Sequence, residues 1–295
     1  MISFIYKVEE VRLHLGLTVL MWRNGRRVRF RTVWGNPWRF ESSHEHHFLL
    51  RGGRKDIIFM EGTSAEQHQN PEFIRRMFAS IAGRYDLANH GLSLGMDYLW
   101  RRKAARMIAL GKPRRILDLA TGSGDLALTL RVHCPEATVI GADFCEPMLR
   151  EAQSKGMAPL VVADGTCLPF SDGIFDAVTV AFGLRNMASR EGALREIARV
   201  LQLGGTAMII DFSMPRLQVI LPFYRWYLHH ILPRVAGWLT GNPGAYEYLG
   251  ESIEAFPRHE AMLDLLRSCG FEDARQTMLS FGIASIYTAR VPRGP

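Results

Sequence analysis

Cysteine is scarce and unpatterned: 295 residues hold four, Cys134, Cys145, Cys167 and Cys269, with no C-x-x-C pair and no zinc spacing. That excludes a disulfide scaffold and a zinc module, and reads as reduced thiols of a cytoplasmic protein with no metal implied. His44-Glu-His-His47 does not supply the H-E-x-x-H spacing of a zinc enzyme either. Long apolar runs are missing too. Leu13 to Trp22 is 10 residues, half of the roughly 20 that a membrane-spanning helix needs. It also lacks the charged start and small-residue cleavage site of a secretory signal. The net charge of +7 invites a nucleic-acid reading, but the aromatic-plus-basic RNA motif, the zinc-finger spacing and the helix-turn-helix are absent, so no nucleic-acid partner is expected.

The charge is unevenly placed. Residues 1–59 carry 11 Lys+Arg against 5 Asp+Glu, which leaves 25 against 24 for the remainder. Residues 1–64 therefore read as a basic, poorly ordered extension, with Met60 expected as the functional start, and residues 65–291 as the working domain. Glu9, Glu10, Glu41 and Glu45 count against an organelle transit peptide.

That domain is organised around residues 114–124. Ile116 to Ala120 read as a buried strand, Thr121 to Gly124 as a glycine turn, and Asp125 onward as a helix. This is how nucleotide-type cofactors are held at the carboxyl edge of a parallel sheet. Gly122-Ser123-Gly124-Asp-Leu-Ala127 also fits the dinucleotide fingerprint G-x-G-x-x-A. Asp118, four positions before Gly122, separates the cofactors. Its carboxylate, expected to face the ligand, would repel a pyrophosphate and favour the ammonium and sulfonium of S-adenosylmethionine (SAM). Two more strands end in acids. Asp143 stands where a carboxylate accepts ribose hydroxyls, and Asp164 with Gly165 ends the next strand, so the edge reads as one adenosine site.

Helix and strand alternate on either side. Helices are expected over Gln69–Ile81, Asp97–Ile108, Glu146–Lys155 and Arg190–Leu201, the last capped by Gly204-Gly205, with a polar connection over Ile81–Asn89. Strands are expected at Ile174–Ala181 and Thr206–Phe212. A helix over Arg258–Cys269 and a hairpin of Ala274–Leu279 with Ile283–Val291 close the chain. The fold class is α/β, a doubly wound, mostly parallel, Rossmann-like sheet with an antiparallel C-terminal edge hairpin. An insert over residues 212–256 breaks the rhythm. Its large apolar and aromatic residues, Leu217 to Leu239, read as a helical lid that packs on its own body and shelters a greasy substrate or meets a membrane surface.

Residues 69–291 resemble the ubiquinone/menaquinone biosynthesis C-methyltransferases of the UbiE type. The resemblance rests on Phe78-Ala-Ser-Ile-Ala-Gly-Arg-Tyr-Asp86, Leu117-Asp-Leu-Ala-Thr-Gly-Ser-Gly-Asp125, Leu168-Pro-Phe170, Phe182-Gly-Leu-Arg-Asn186, Leu232-Pro-Arg234, Tyr248-Leu249 and Glu251-Ser-Ile253. It implies the fold of the class I SAM-dependent methyltransferases and SAM contacts at Ser123, Asp143, Asp164 and Gly165, beside Asp118 and Gly122 of the turn. It also implies methyl transfer to a ring carbon of a prenylated quinol: demethylmenaquinol, or alternatively the 2-methoxy-6-polyprenyl-1,4-benzoquinol of ubiquinone synthesis. Arg185 is the expected catalytic residue, a cation for the developing phenolate, whose loss should slow transfer without destabilising the fold. Peripheral membrane contact through the insert and a homodimer are compatible with this reading. An NAD-dependent oxidoreductase and a non-catalytic SAM-fold partner protein remain as alternatives.

Overall fold

The computed structural model describes residues 9–12, 18–21, 71–93, 95–215, 219–232, 234 and 243–294. The chain divides into two compact units, Met1–Glu61 and Gly62–Pro295. In the first, β1 (Glu9–Arg12) and β2 (Thr18–Met21) pair antiparallel, with Glu9 opposite Met21. The expectations for Arg23 to Arg39, for His44 to His47 and for Met60 lie outside the described residues.

The second unit opens with α1 (Pro71–Leu92) and α2 (Met96–Ala109). The connection expected over Ile81–Asn89 is instead helical, because α1 runs on to Leu92. Then follow β3 (Arg115–Leu119), α3 (Asp125–His133), β4 (Thr138–Asp143), α4 (Glu146–Ser154), β5 (Leu160–Val162) and β6 (Phe175–Ala181). After a 3-10 turn at Leu184–Asn186 come α5 (Arg190–Val200) and β7 (Leu201–Phe212). The insert contributes α6 (Ile220–Trp226), which continues as a π-helical turn over Tyr227–Ile231, and α7 (Pro243–Ala255). The chain closes with α8 (Glu260–Ser268), β8 (Glu272–Leu279) and β9 (Ala284–Arg290).

The sheet order is β5-β4-β3-β6-β7-β9-β8. Strands β3 to β7 run parallel, and β9 enters antiparallel between β7 and β8. Alternation at period two sends the side chains to two cores. Leu117, Leu119, Val178, Val180, Ala207 and Ile209 meet α5 and α8 on one face. Ile116, Ala177, Met208 and Ile210 meet α2 and α3 on the other. Burial on both faces is what a parallel sheet with crossover helices requires. Strand order reverses at β3, so the carboxyl ends of β3 and β6 flank the crevice where such sheets bind ligands.

Gly204-Gly205 does not cap α5. The helix ends at Val200, and β7 begins at once with Leu201 opposite Phe175; the register then shifts, and Thr206 pairs with Ala177. The glycines form that bulge. Gly204 has φ +74, a conformation that costs little only without a Cβ.

Candidate active site

The β3 strand ends in a run of left-handed residues. Ala120 has φ +53, Gly122 φ +56 and Gly124 φ +85. The turn is tied to β4 by Thr121 N–H to Ala142 O at 3.0 Å and closed by Gly124 N–H to Thr121 O at 2.9 Å. A Cβ on Gly124 would meet Ala152 Cβ at 3.0 Å, so the glycine lets α3 and α4 pack closely. Across the crevice, Phe182 at the end of β6 also has positive φ, +57. A Cβ on Gly183 would lie 2.4 Å from Ala120 Cβ. Backbone held in this region by non-glycine residues stores strain, which gathers at ligand sites.

Between these walls lies a cleft of about 750 Å3, counting its open mouth. Gly122, Asp143, Asp164 and Gly165 line it, with Phe78, Phe144, Met148, Phe182, Asn186 and Met187 as its larger walls. Four of the expected cofactor residues thus converge. Asp143, buried at the end of β4, accepts from Gly122 N at 2.9 Å and from Cys145 N at 2.8 Å. Burial pushes its carboxyl up to about 6, against the pull of these amides. Asp164 is exposed and accepts from Thr166 N and Oγ1, each at 2.8 Å. At Gly165 a Cβ would come within 2.9 Å of Met187 Sδ.

Asp118 and Ser123 do not line the cleft. Asp118 was expected to face the ligand, and its placement corrects that. It lies on the Ile116 face of the sheet, fully buried, and accepts from Thr121 Oγ1 at 2.7 Å and from Thr179 Oγ1, its register neighbour on β6, at 2.6 Å. Burial raises its carboxyl to about 6 as well. It holds the turn from beneath. Ser123 is buried within the turn.

Arg185, in the turn after β6, is buried rather than presented to the cleft. Its Nη1 donates to Asp211 Oδ1 and to Phe182 O, each at 2.6 Å, and its guanidinium lies 5.4 Å from the centre of the Phe212 ring. Arg185 Nε and Asp211 Oδ2 are buried without a hydrogen-bond partner in the protein. The expectation that replacing Arg185 leaves stability untouched is revised, because the change would strand a buried carboxylate. The lid reaches this corner through Tyr248 of α7, whose hydroxyl donates to Asn186 Oδ1 at 3.0 Å. Asp211 was missed in the sequence. A strand-end acid that faces an arginine 26 residues earlier carries no local signal.

The cleft suits an adenosine with a methionine moiety: carboxylates at two adjacent strand ends, glycine backbone lining it at Gly122 and Gly165, and flat or thioether walls. The sequence model of the ubiE/COQ5 methyltransferase family matches residues 63–290. The chain belongs to that family. A demethylmenaquinone methyltransferase of Thermus thermophilus is 47% identical over 221 residues, which cover 73% of this chain and all of that one. The ubiquinone/menaquinone biosynthesis C-methyltransferase UbiE of Geobacter sulfurreducens is 42% identical over 251 residues, 82% of this chain and 95% of that one. Among solved structures, a SAM-dependent methyltransferase of Thermotoga maritima, described as a possible histamine N-methyltransferase, shares the fold. Its TM-score is 0.54 at 19% identity, over 74% of this chain and 99% of that one. Membership in the ubiE/COQ5 family makes the chain a SAM-dependent methyltransferase and sets aside both the dinucleotide reading of its glycine turn and the non-catalytic one.

Proposed function

We propose that the chain methylates a ring carbon of demethylmenaquinol, a prenylated naphthoquinol, with SAM as methyl donor. Quinone-ring C-methylation in menaquinone and ubiquinone synthesis is the activity its relatives are named for. The naphthoquinol is favoured because the relative matched along its full length at 47% identity is a demethylmenaquinone methyltransferase. The observation that carries the site is the lid tyrosine, Tyr248, hydrogen-bonded to cleft-lining Asn186 beside the Arg185–Asp211 pair. It brings an apolar cover, the cofactor cleft and a buried cation to one corner.

SAM supplies an electrophilic methyl on sulfonium when bound. Asp143 is assigned to the ribose hydroxyls and Asp164 with Gly165 to the adenine end, while Asp118 acts indirectly by fixing Thr121 of the turn. Ser123 is assigned to the cofactor's side of the same turn. The acceptor's hydroxyl, with a pKa near 10 like that of tyrosine, must share or lose its proton before charge reaches the ring carbon. Arg185 is the cation for that oxygen. Enclosure beneath the lid excludes water and strengthens the interaction.

The lid has two faces. Tyr224, Leu228, Leu232 and Tyr248 bury themselves against Ile74, Met77, Met214 and Ile253. Val219, Phe223 and Trp226 are exposed at helical spacing, and peripheral contact with a membrane that holds the prenylated substrate is assigned to them. Among the described residues no helix is long and apolar enough to cross a membrane. Two measurements test the reading. Quinones from a deletion strain should show demethylmenaquinone by mass spectrometry, and purified protein should methylate a reduced prenylated naphthoquinone faster than a reduced prenylated benzoquinone. Accumulation of the benzoquinone precursor alone would reverse the assignment.

A further inference from the structure

The Arg185–Asp211 pair is incomplete in a particular way. Asp211 is fully buried at the end of β7, and its Oδ1 is well supplied, by Arg185 Nη1 and by Phe212 N at 2.9 Å. Its Oδ2 has no partner in the protein, and neither does Arg185 Nε. One acceptor and one donor are thus left over in two side chains already joined by a hydrogen bond. Buried polar groups in proteins are nearly always matched, so two unmatched atoms in one contact point to a group that completes them. A hydroxyl, whether of water or of a ligand, supplies the one donor and the one acceptor needed.

The surroundings agree with an acceptor hydroxyl. Phe182, whose carbonyl accepts from Arg185, and Asn186, in the same turn, both line the cofactor cleft. The lid reaches the turn that carries Arg185, through Tyr248 Oη to Asn186 Oδ1 at 3.0 Å, and the charge of Arg185 acts on both Tyr248 of α7 and Tyr224 of α6.

We propose that Asp211 is the catalytic base of the methyl transfer: its Oδ2 takes the proton of the acceptor's ring hydroxyl while Arg185 Nε donates to the same oxygen. This rests on the quinol reading above, for a naphthoquinol or a benzoquinol alike. The hydroxyl O–H bond breaks, and its proton passes to Oδ2. The electron pair enters the ring, the ring carbon bonds to the methyl, and the methyl–sulfur bond breaks with its pair left on sulfur. Water takes the proton from the newly substituted ring carbon, aromaticity returns, and Asp211 gives its proton back to the oxygen. The sum is one methyl transferred and one proton released to solvent.

The electrostatics suit that role. Burial drives the Asp211 carboxyl upward, and Arg185 pulls it partly back. The other charged or titratable groups acting around it are Arg190 of α5, Tyr248 of α7 and Tyr287 of β9. Burial pushes both tyrosines up as well, away from neutral pH, so among these neighbours the carboxylate is the group whose titration burial moves toward it.

The experiment compares the full-length protein with Asp211→Asn and Asp211→Glu. Single-turnover methyl transfer to a reduced prenylated naphthoquinone and to a reduced prenylated benzoquinone is followed from pH 5 to 9, and calorimetry gives the affinities for SAM and for the methylated quinol product. The quinol that the wild type prefers reports on the substrate reading and leaves the base assignment to the variants. With SAM kept saturating at every pH, so that protonation of Asp143 does not shape the profile, Asp211→Asn should slow transfer on the order of 100-fold, abolish the acid limb, weaken binding of the quinol product and leave SAM affinity within about twofold. Asp211→Glu should recover part of the rate with the limb displaced. An Asn variant that keeps the acid limb, or loses rate only in proportion to SAM affinity, makes the pair structural and overturns the assignment. If Asn does not fold, Glu decides: an acid limb at the wild-type position likewise overturns it.

Discussion

At the carboxyl ends of β3 and β4, Asp118 and Asp143 have a partner on each oxygen: two threonine hydroxyls for one, two backbone amides for the other. At the ends of β6 and β7, Asp211 has a cation beside it and still one oxygen unmatched. The first corner is self-sufficient: its carboxylates are matched within the protein and hold the glycine turn. The second is built to be completed. Under the function and base assignment proposed above, preorganisation means different things on the two sides of one cleft: a rigid receptacle for the donor, and an unmatched pair for the acceptor.

Breaking the second corner should have the largest effect. Arg185→Met leaves Asp211 buried without its cation, at a cost of about 3–5 kcal/mol in stability. Urea unfolding should register that loss, alongside a fall in kcat of roughly 100-fold or more. Arg185→Lys should sit between, since it keeps the charge and loses the planar fork. A Met variant with wild-type unfolding would mean that the ion pair contributes nothing.

At the first corner the cost should fall on binding. Asp143→Ala removes an ionised acceptor, and SAM affinity should drop by about 1.5–3 kcal/mol in calorimetry. The pH trend sharpens this, because both Asp118 and Asp143 titrate near 6. As the pH falls through 6, Asp143 protonates and SAM binding weakens. The cofactor-free fold moves the other way. Carboxyls raised above their unfolded value of about 3.9 bind protons more tightly when folded, so their contribution is full below about pH 4 and is lost as the pH rises through 6. A SAM affinity that is flat from pH 7 to 5 would remove Asp143 from the site.

The wall between the corners is tested by Gly183→Ala. With a Cβ 2.4 Å from that of Ala120, two backbones must part, at about 1–3 kcal/mol. Gly165→Ala should cost less, since the opposing atoms are the mobile end of Met187. The smallest effect on stability is expected on the lid: Phe223→Ser and Trp226→Ser, both at exposed positions, should stay within about 0.5 kcal/mol of wild type. Sedimentation with anionic vesicles should nonetheless drop. Unchanged sedimentation would withdraw the membrane assignment.

The corner proposed for the cofactor was legible in the sequence because its parts are local. A strand, two glycines and a helix follow between Arg115 and His133, and the acids that end the next strands stand at fixed offsets from apolar runs. Period-two burial and helical spacing determined the α/β class and the antiparallel last strand for the same reason, since each element writes its own solvent pattern. Local reading also misled where position depended on neighbours. Gly204-Gly205 looks like a helix stop and serves a strand bulge, and Ile81–Asn89 looks like a connection and continues a helix. Only the tertiary structure decided which way Asp118 points, because Leu117 and Asp118 are both buried and the choice of face belongs to the register of β3 on β6. Only it joined Arg185 to Asp211 across 26 residues. Charge pairing in a buried corner depends on which strand ends meet, and parallel strands meet through crossovers whose length leaves no periodic trace in the chain.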